Sequence, residues 1–350
     1  MTDMIKVMVV DDTITYRQIL SKVVETLDHA ELAGTASSGK TALMKIPTIK
    51  PDVIFLDVMM PDMDGIETLY NIKKDFPNIA VVMVSAFDME NAKATLESLE
   101  NGALDFIAKP VAQNMADGIA QFQTALTPIV SLLFHEKYPN ANLTTRARQQ
   151  IFVARESTEA PSAPSVRTEA SSIKGKVDLV TIGISTGGPN ALHSLFIGIP
   201  EVLPCPVLIV QHMPPMFTQS LAERLSSVSK MDITEAVDGE IAHPGHVYIA
   251  PGGKHLLAKR QGTGFSLSVT DTPPVNHCKP AVDVLFKSVS EIKNINVLSL
   301  ILTGMGRDGT EGIKDLKAKG TFTIIQDEKT SVVWGMPGSV HESGNYDEML

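Results

Sequence analysis

The sequence predicts an α/β protein made of two doubly wound parallel-sheet domains. Two stretches in which short β-rich runs alternate with helix-spaced runs predict the sheets, and a segment poor in apolar residues between them predicts the division. At 350 residues the chain is too long for one ordinary domain and suits two. Its 43% hydrophobic and 20% charged residues are enough to bury two cores.

In residues 1–125 the expected strands are 5–10, 32–36, 53–57, 80–84 and 104–108. Apolar residues recur at helical spacing in 16–27, 40–46, 65–74, 89–99 and 111–125. Strands that alternate with helices pair in parallel, and the helices cover both faces of the sheet. From 157 to 172 the chain reads Ser-Thr-Glu-Ala-Pro-Ser-Ala-Pro-Ser-Val-Arg-Thr-Glu-Ala-Ser-Ser, with one Val and no aromatic residue. Such a composition buries too little to order itself and reads as a linker. The preceding stretch, 127–155, keeps helical spacing and either extends the first domain or belongs to the connection. After Lys176, strands are expected at 179–184, 206–211, 233–236, 246–250, 256–258, 266–269, 297–302 and 322–325. Helices are expected at 190–197, 218–226, 281–290 and 309–318. Dense turn signals, Pro251-Gly252-Gly253 and Gly262-Thr263-Gly264, mark a β-rich insertion between 237 and 270. The expected domains are 1–125, a linker over 126–175, and 176–350.

Charge narrows the partners. Residues 1–125 carry 10 Lys/Arg against 18 Asp/Glu, 126–175 carry 6 against 4, and 176–350 carry 14 against 18. The net values of −8, +2 and −4 add to the −10 of the whole chain. None has the basic balance of a nucleic-acid-binding domain, so no nucleic-acid partner is expected. No apolar run approaches the roughly 20 residues needed to span a bilayer. The N-terminus lacks a basic start followed by an apolar stretch, so a cytoplasmic protein without membrane insertion is expected. Cys205 and Cys278 are isolated, without the C-x-x-C spacing of a zinc or disulfide scaffold.

Sites in parallel sheets form beyond the carboxyl ends of the strands. The first expected strand runs into Asp11-Asp12 and the third ends in Asp57; Ser85 follows the fourth, and Lys109-Pro110 the fifth. Three carboxylates brought together repel unless a cation neutralises them, and hard oxygen donors suit Mg²⁺. A single Asp there would be a solvated loop residue; Asp at two strand ends, with Ser and Lys at two others, makes a pocket. This constellation resembles the flavodoxin-like receiver domains of response regulators, over about residues 4–125. The resemblance implies that Asp57, in Phe-Leu-Asp57-Val-Met-Met-Pro-Asp-Met-Asp-Gly65, accepts a phosphoryl group from a histidine kinase. It implies Asp11, Asp12, Asp57 and the backbone of Met59 as Mg²⁺ ligands, Lys109 as a phosphate contact, and Ser85 and Phe106 as the switch residues. Mg²⁺ and Lys109 would neutralise charge building on the equatorial oxygens during in-line transfer.

In the second half, Gly183-Ile184-Ser185-Thr186-Gly187-Gly188 stands where a strand gives way to a helix. The serine has three readings. It is a nucleophile in a tight turn, with helix-start N–H groups such as that of Thr186 facing an oxyanion; part of a phosphate loop, although G-x-G-x-x-G is absent; or a helix cap. Taken alone, the motif favours the cap. His212 ends the next strand in Gln211-His212-Met213-Pro214-Pro215, and Asp308 follows a late one in Thr303-Gly304-Met305-Gly306-Arg307-Asp308-Gly309. Ser, His and Asp past three parallel strands can converge for acyl transfer. His212 would take the Ser185 proton, Asp308 would fix the tautomer, and the Met305 N–H could join the oxyanion site. The chain order Ser, His, Asp differs from the Ser, Asp, His of α/β-hydrolases. His277 is a more credible alternative base than His246, and Trp334 reads as a core anchor rather than a binding surface.

These segments, with Val333-Trp334-Gly335-Met336-Pro337-Gly338, resemble the Rossmann-like catalytic domain of the chemotaxis receptor methylesterases, over roughly residues 176–350. Receiver, linker and this domain in that order resemble the phosphorylation-dependent protein-glutamate methylesterase family as a whole. The resemblance implies Ser185 as nucleophile, His212 as base and Asp308 as orienting acid, with no cofactor for the ester hydrolysis. It implies hydrolysis of glutamate γ-methyl esters on methyl-accepting chemotaxis receptors, releasing methanol, and deamidation of receptor glutamines. A chemotaxis histidine kinase would be the phosphodonor, and the receiver would cover the cleft until Asp57 is phosphorylated. Three departures stand out: Cys278-Lys279 where the family usually shows His-Arg, Arg307 where a smaller polar residue is common, and a long 127–172 segment. Two other classes compete: a DNA-binding response regulator, which the acidic second half disfavours, and a non-catalytic adaptor.

Overall fold

The computed structural model describes residues 3–86, 88–110, 114–138 and 175–350. The chain divides into two compact units, Met1–Gln150 and Ile151–Leu350. The expected linker core, 157–172, lies outside the described residues.

In the first unit, β1 (Ile5–Val10), β2 (Ala30–Ala36), β3 (Val53–Asp57), β4 (Ala80–Ser85) and β5 (Asp105–Ala108) form one parallel sheet. Its order is β2-β1-β3-β4-β5. The helices are α1 (Ile14–Thr26), α2 (Gly39–Ile49), α3 (Gly65–Asp75), α4 (Met89–Glu100) and α5 (Met115–Lys137). Every residue of β3 is buried, as expected of a central strand covered on both faces. Asp64 and Asp88 cap α3 and α4, their carboxylates accepting from the N–H groups of Glu67 (2.8 Å) and Asn91 (2.9 Å).

α5 continues past residue 125, where sequence reading begins the linker. Its apolar spacing simply goes on: Leu126, Ile129, Val130 and Phe134 are buried in the same core as Val7, Phe55 and Phe122. Lys137, at its last turn, pairs with Asp52 at 2.7 Å. The expected helix start, 111–113, lies outside the described residues.

The loop between β3 and α3 folds tightly back onto its strand. The Gly65 N–H donates to Val58 O at 2.8 Å, and a Cβ on Gly65 would meet the Asp57 carbonyl oxygen at 2.2 Å. That oxygen is backbone and cannot step aside. Gly65→Ala is therefore expected to destabilise the first unit by about 1–3 kcal/mol, seen as a lowered midpoint in thermal unfolding. An unchanged midpoint would show that the loop yields freely.

The second unit contains β6 (Leu179–Ile184), β7 (Val207–Gln211), β8 (Asp232–Glu235), β9 (Ile241–Ala242), β10 (His246–Ile249), β11 (His255–Gln261) and β12 (Gly264–Thr270). It continues with β13 (Val297–Ile301), β14 (Phe322–Ile325) and β15 (Glu348–Met349). Its helices are α6 (Gly188–Gly198), α7 (Phe217–Val228), α8 (Val282–Ser290), α9 (Thr310–Lys317) and α10 (Met336–Ser343). Seven strands make a parallel sheet in the order β15-β14-β13-β6-β7-β10-β8, and β11-β12-β9 make a small antiparallel sheet. The expected β-rich insertion is thus smaller than it reads. Its strand β10 belongs to the main sheet, and Val247, Tyr248 and Ile249 are fully buried there. The helix α10 is not among the expected helices; its proline lies in the first turn, which is compatible with a helix.

Strand order reverses beside β1 in the first sheet and beside β6 in the second. β6 leads to β7 on one side, and the chain later returns to place β13 on the other. The crevice outside the carboxyl ends at such a reversal is where doubly wound sheets hold their sites.

Candidate functional site

At the first reversal, Asp11 and Asp12 leave β1 while Asp57 ends β3. Carboxylate oxygens of the three lie within 4.8 Å of one another. Asp11 and Asp57 are buried, at 0% and 3% exposure, and Asp12 is exposed. Lys109, just past β5, brings Nζ to 2.7 Å from Asp57 Oδ2 and 2.9 Å from Asp11 Oδ2. The same ammonium lies 4.6 Å from the Tyr16 ring centre. Burial pushes the Asp57 carboxyl up, Lys109 pulls it down, and Asp11 and Asp12 push it up again, leaving it at about 6. Burial lowers the Lys109 ammonium, but Asp57 and Asp11 outweigh it and hold it above its ordinary value. Lys109, with Arg17 donating from behind to the carbonyl oxygens of Asp11 (2.7 Å) and Asp12 (2.9 Å), still leaves three carboxylates against two cations. Asp11 Oδ2 faces Lys109 as a charge yet is buried without a well-aligned hydrogen bond. This all-oxygen, cation-deficient set fits a hard divalent ion.

Met59 sits two residues beyond Asp57 with a half-exposed side chain. Ser85 is buried at the end of β4, where its Oγ accepts from Thr95 Oγ1 at 2.7 Å, so the hydroxyl is engaged by α4. Phe106 is half-buried on β5. The structure brings Asp11, Asp12, Asp57 and Lys109 together and sets Ser85 and Phe106 on the neighbouring strands.

At the second reversal, Ser185 follows β6, and backbone bonds tie three strand ends around it. The Ser185 N–H donates to Thr303 O at 3.0 Å, and the His212 N–H donates to Ile184 O at 3.1 Å. Gln211 Nε2 donates to the carbonyls of Ser185 (2.9 Å) and His212 (3.3 Å), bracing both residues from below. Gly188 leaves room for this amide: a Cβ would sit 1.9 Å from Gln211 Oε1 and force the side chain to move. Gly304 packs against the serine: a Cβ there would lie 2.9 Å from Ser185 Cβ. The Gly304 carbonyl accepts from the N–H groups of Gly335 (3.0 Å) and Met336 (2.8 Å), which clamps the Asp308 loop. Trp334 is half-buried and donates its indole N–H to Gln326 O at 3.0 Å, anchoring that clamp. Among the described residues, the N–H groups of Thr186 and Met305 have no hydrogen-bond partner.

His212 Nε2 lies 2.8 Å from Asp308 Oδ2. Asp308 is 3% exposed and accepts three further bonds: from the N–H of Val282 (2.6 Å), Asn276 Nδ2 (2.8 Å) and the N–H of Asp283 (3.2 Å). The first turn of α8 supplies two of these donors, so the positive end of a helix faces the carboxylate. Burial raises the Asp308 carboxyl, but the bond from His212 and the other donors hold it below its ordinary value. An ionised carboxylate only accepts, so Nε2 carries a hydrogen, and when the ring is neutral its lone pair is at Nδ1. Burial lowers the imidazole, while Asp308 and the neighbouring Cys278 sulfur outweigh it and raise its affinity for a proton. Cys278 Sγ is 3.6 Å from Nδ1. The alternative bases lie elsewhere: His277 is exposed, and His246 pairs with Thr234 Oγ1 at 2.9 Å beside β8.

Sequence reasoning did not assign Gln211, Asn276 or Cys278 to the site. Asn276 and His277 both adopt left-handed backbone, φ 52° and 63°. The Val275 N–H donates to Cys278 O (3.1 Å) and the Cys278 N–H to Val275 O (2.8 Å), closing a two-residue turn. Asn tolerates that conformation well, so Val-Asn-His-Cys carried a local turn signal. What the turn points at depends on β13 and α8, and no local pattern reports that.

The family model for CheB methylesterase matches residues 180–350, and that for the response regulator receiver domain matches residues 7–118. A protein-glutamate methylesterase/protein-glutamine glutaminase of Trichodesmium erythraeum is 39% identical, over 99% of this chain and 95% of its own length. The protein of the same description from Desulfotalea psychrophila is 43% identical, over 98% and 94%. A solved structure, the Thermotoga maritima CheB methylesterase catalytic domain, is 44% identical and covers 50% of this chain and 93% of itself, with a TM-score of 0.48. With such identity across both units, this chain belongs to the protein-glutamate methylesterase/protein-glutamine glutaminase family.

Proposed function

We propose that this chain hydrolyses glutamate γ-methyl esters of chemotaxis receptors, releasing methanol, and deamidates receptor glutamines, under control of phosphorylation at Asp57. The observation that supports it most is the pairing of half-buried His212 with buried Asp308, 2.8 Å apart, at the strand ends beside Ser185.

Ser185 Oγ attacks the γ-acyl carbon and its proton passes to His212 Nδ1. Asp308 stabilises the imidazolium through Nε2–H, and the Thr186 and Met305 N–H groups receive the oxyanion. The tetrahedral intermediate collapses, and methanol, or ammonia from glutamine, leaves with the His212 proton. Water attacks the acyl-enzyme with His212 again as base and frees the glutamate. Both substrates present the same acyl carbon, so one site serves both.

In the receiver, Asp11, Asp12, Asp57 and the Met59 carbonyl would hold Mg²⁺, which when bound neutralises charge on the transferring phosphoryl group. Asp57 supplies the attacking carboxylate oxygen, and Lys109 pairs with the new phosphoryl charge. Ser85 and Phe106 then carry the change outward. A differential stability of about 5.5 kcal/mol suffices to swing a gate from 1:99 to 99:1. Among the described residues no helix is long and apolar enough to cross a membrane, and we place the reaction on the cytoplasmic parts of the receptors.

Asp57→Asn is expected to leave the basal hydrolysis rate in place and abolish its rise with an acyl phosphate and Mg²⁺. A truncated protein of residues 176–350 is expected to outpace the unphosphorylated full chain. An Asp57→Asn protein that still responds to the phosphodonor would move the control point elsewhere.

A further inference from the structure

We propose that His212 Nδ1 and Cys278 Sγ form a site for a soft divalent cation of the Zn²⁺ class, and that the ion switches hydrolysis off by occupying the lone pair that accepts the Ser185 proton. The switching half rests on the function proposed above; the site itself does not.

Three observations carry it. The first is the distance between the donors. Zn–N of about 2.05 Å and Zn–S of about 2.3 Å at a tetrahedral angle put N and S about 3.5 Å apart. The distance found is 3.6 Å, so an ion needs almost no rearrangement. The second is orientation. A zinc-bound imidazole usually donates its other N–H to a carboxylate, which fixes the ring and its tautomer. Asp308 Oδ2 already takes that role at 2.8 Å and leaves Nδ1 facing the sulfur. The donor atoms of His212, Cys278 and Asp308 all fall within 4.8 Å of one another. The third is rigidity with access. The Val275–Cys278 turn is closed by two backbone bonds, and Asn276 Nδ2 pins it to Asp283 (2.7 Å) and Asp308 (2.8 Å). His212 and Cys278 are nevertheless both partly exposed, so an ion can reach them.

On binding, any proton held by His212 Nδ1 or Cys278 Sγ passes to solvent as the Zn–N and Zn–S bonds form, and the ion sheds two of its waters. The remaining coordination positions stay with water. Imidazole and thiolate select soft ions, and the all-oxygen Asp11–Asp12–Asp57 pocket selects hard ones. The two sites therefore sort metals by donor type, and Mg²⁺ does not compete for the second.

The test uses full-length protein in excess Mg²⁺, titrated with Co²⁺ as a spectroscopic stand-in for Zn²⁺. The expected result is one equivalent of Co²⁺ with a thiolate-to-cobalt charge-transfer band. The band should vanish in Cys278→Ser and persist in Cys205→Ser and Ser185→Ala. Zn²⁺ should inhibit methyl-ester hydrolysis and a chelator should restore it. In Cys278→Ser the inhibiting Zn²⁺ concentration, referred to that variant's own metal-free rate, should rise at least about tenfold. Absence of the band in wild type, or a band that survives Cys278→Ser, would overturn the site. A Cys278-dependent band in a protein whose hydrolysis ignores Zn²⁺ would overturn the switch. A band in a protein without any esterase activity would keep the site and remove the proposed function instead.

Discussion

Ser185→Ala is expected to lower methyl-ester hydrolysis by about 10⁴-fold or more. The loss should fall almost wholly on kcat. As the proposed nucleophile, the serine oxygen would form the bond that splits one hard hydrolysis into two easier steps, and a methyl group cannot replace it. Fold and substrate binding should survive. Ser185 is held by its backbone, through its N–H to Thr303 O and through its carbonyl to Gln211, and alanine keeps both. Residual activity from the oxyanion donors and the His212 base would remain measurable above background. A variant within threefold of wild type would mean that another residue is the nucleophile.

Asp308→Asn should cost nearly as much, about 10⁴-fold in kcat. The reason lies in the four donors around this carboxylate. An amide has one acceptor oxygen, so its NH₂ must face one pair of them. Turned toward His212, it forces the hydrogen onto Nδ1 and removes the lone pair that takes the serine proton. Turned toward Asn276 and Asp283, it leaves buried donors opposed, at about 1–3 kcal/mol of stability. The kinetic and the thermal measurements should therefore both move, in proportions that report which way the amide points. A variant with normal kcat would show that His212 keeps its tautomer without Asp308.

Much of this was legible in the sequence, for identifiable reasons. Asp57 stands out because Val53–Leu56 is an unbroken apolar run that a central parallel strand requires, and the charge that ends it marks the sheet edge. Ser185 and His212 are legible for the same reason, each following a wholly buried strand. Asp308 lies farther past β13, yet its glycine-rich surroundings mark a loop under close backbone contact. The extent of α5 was harder to read. Its apolar spacing runs on past residue 125, and only packing decides whether Leu126 to Phe134 join the first core or a connection. β10 misleads differently: a strand flanked by turn-rich sequence reads as part of an insertion, although its burial on both faces places it in the main sheet. Cys278 was invisible as a site residue because its contact with His212 spans 66 positions and is set by a turn pinned to another element.

The measurement that tests the central claim most directly is methanol release from methylated receptor membranes. Full-length wild type, Ser185→Ala and Asp57→Asn would be assayed side by side, with and without an acyl phosphate and Mg²⁺. The account predicts release by wild type that rises with the phosphodonor, a basal rate from Asp57→Asn that does not rise, and release from Ser185→Ala about 10⁴-fold or more below wild type. Equal release from wild type and Ser185→Ala, or no release from wild type on any receptor preparation, would contradict it.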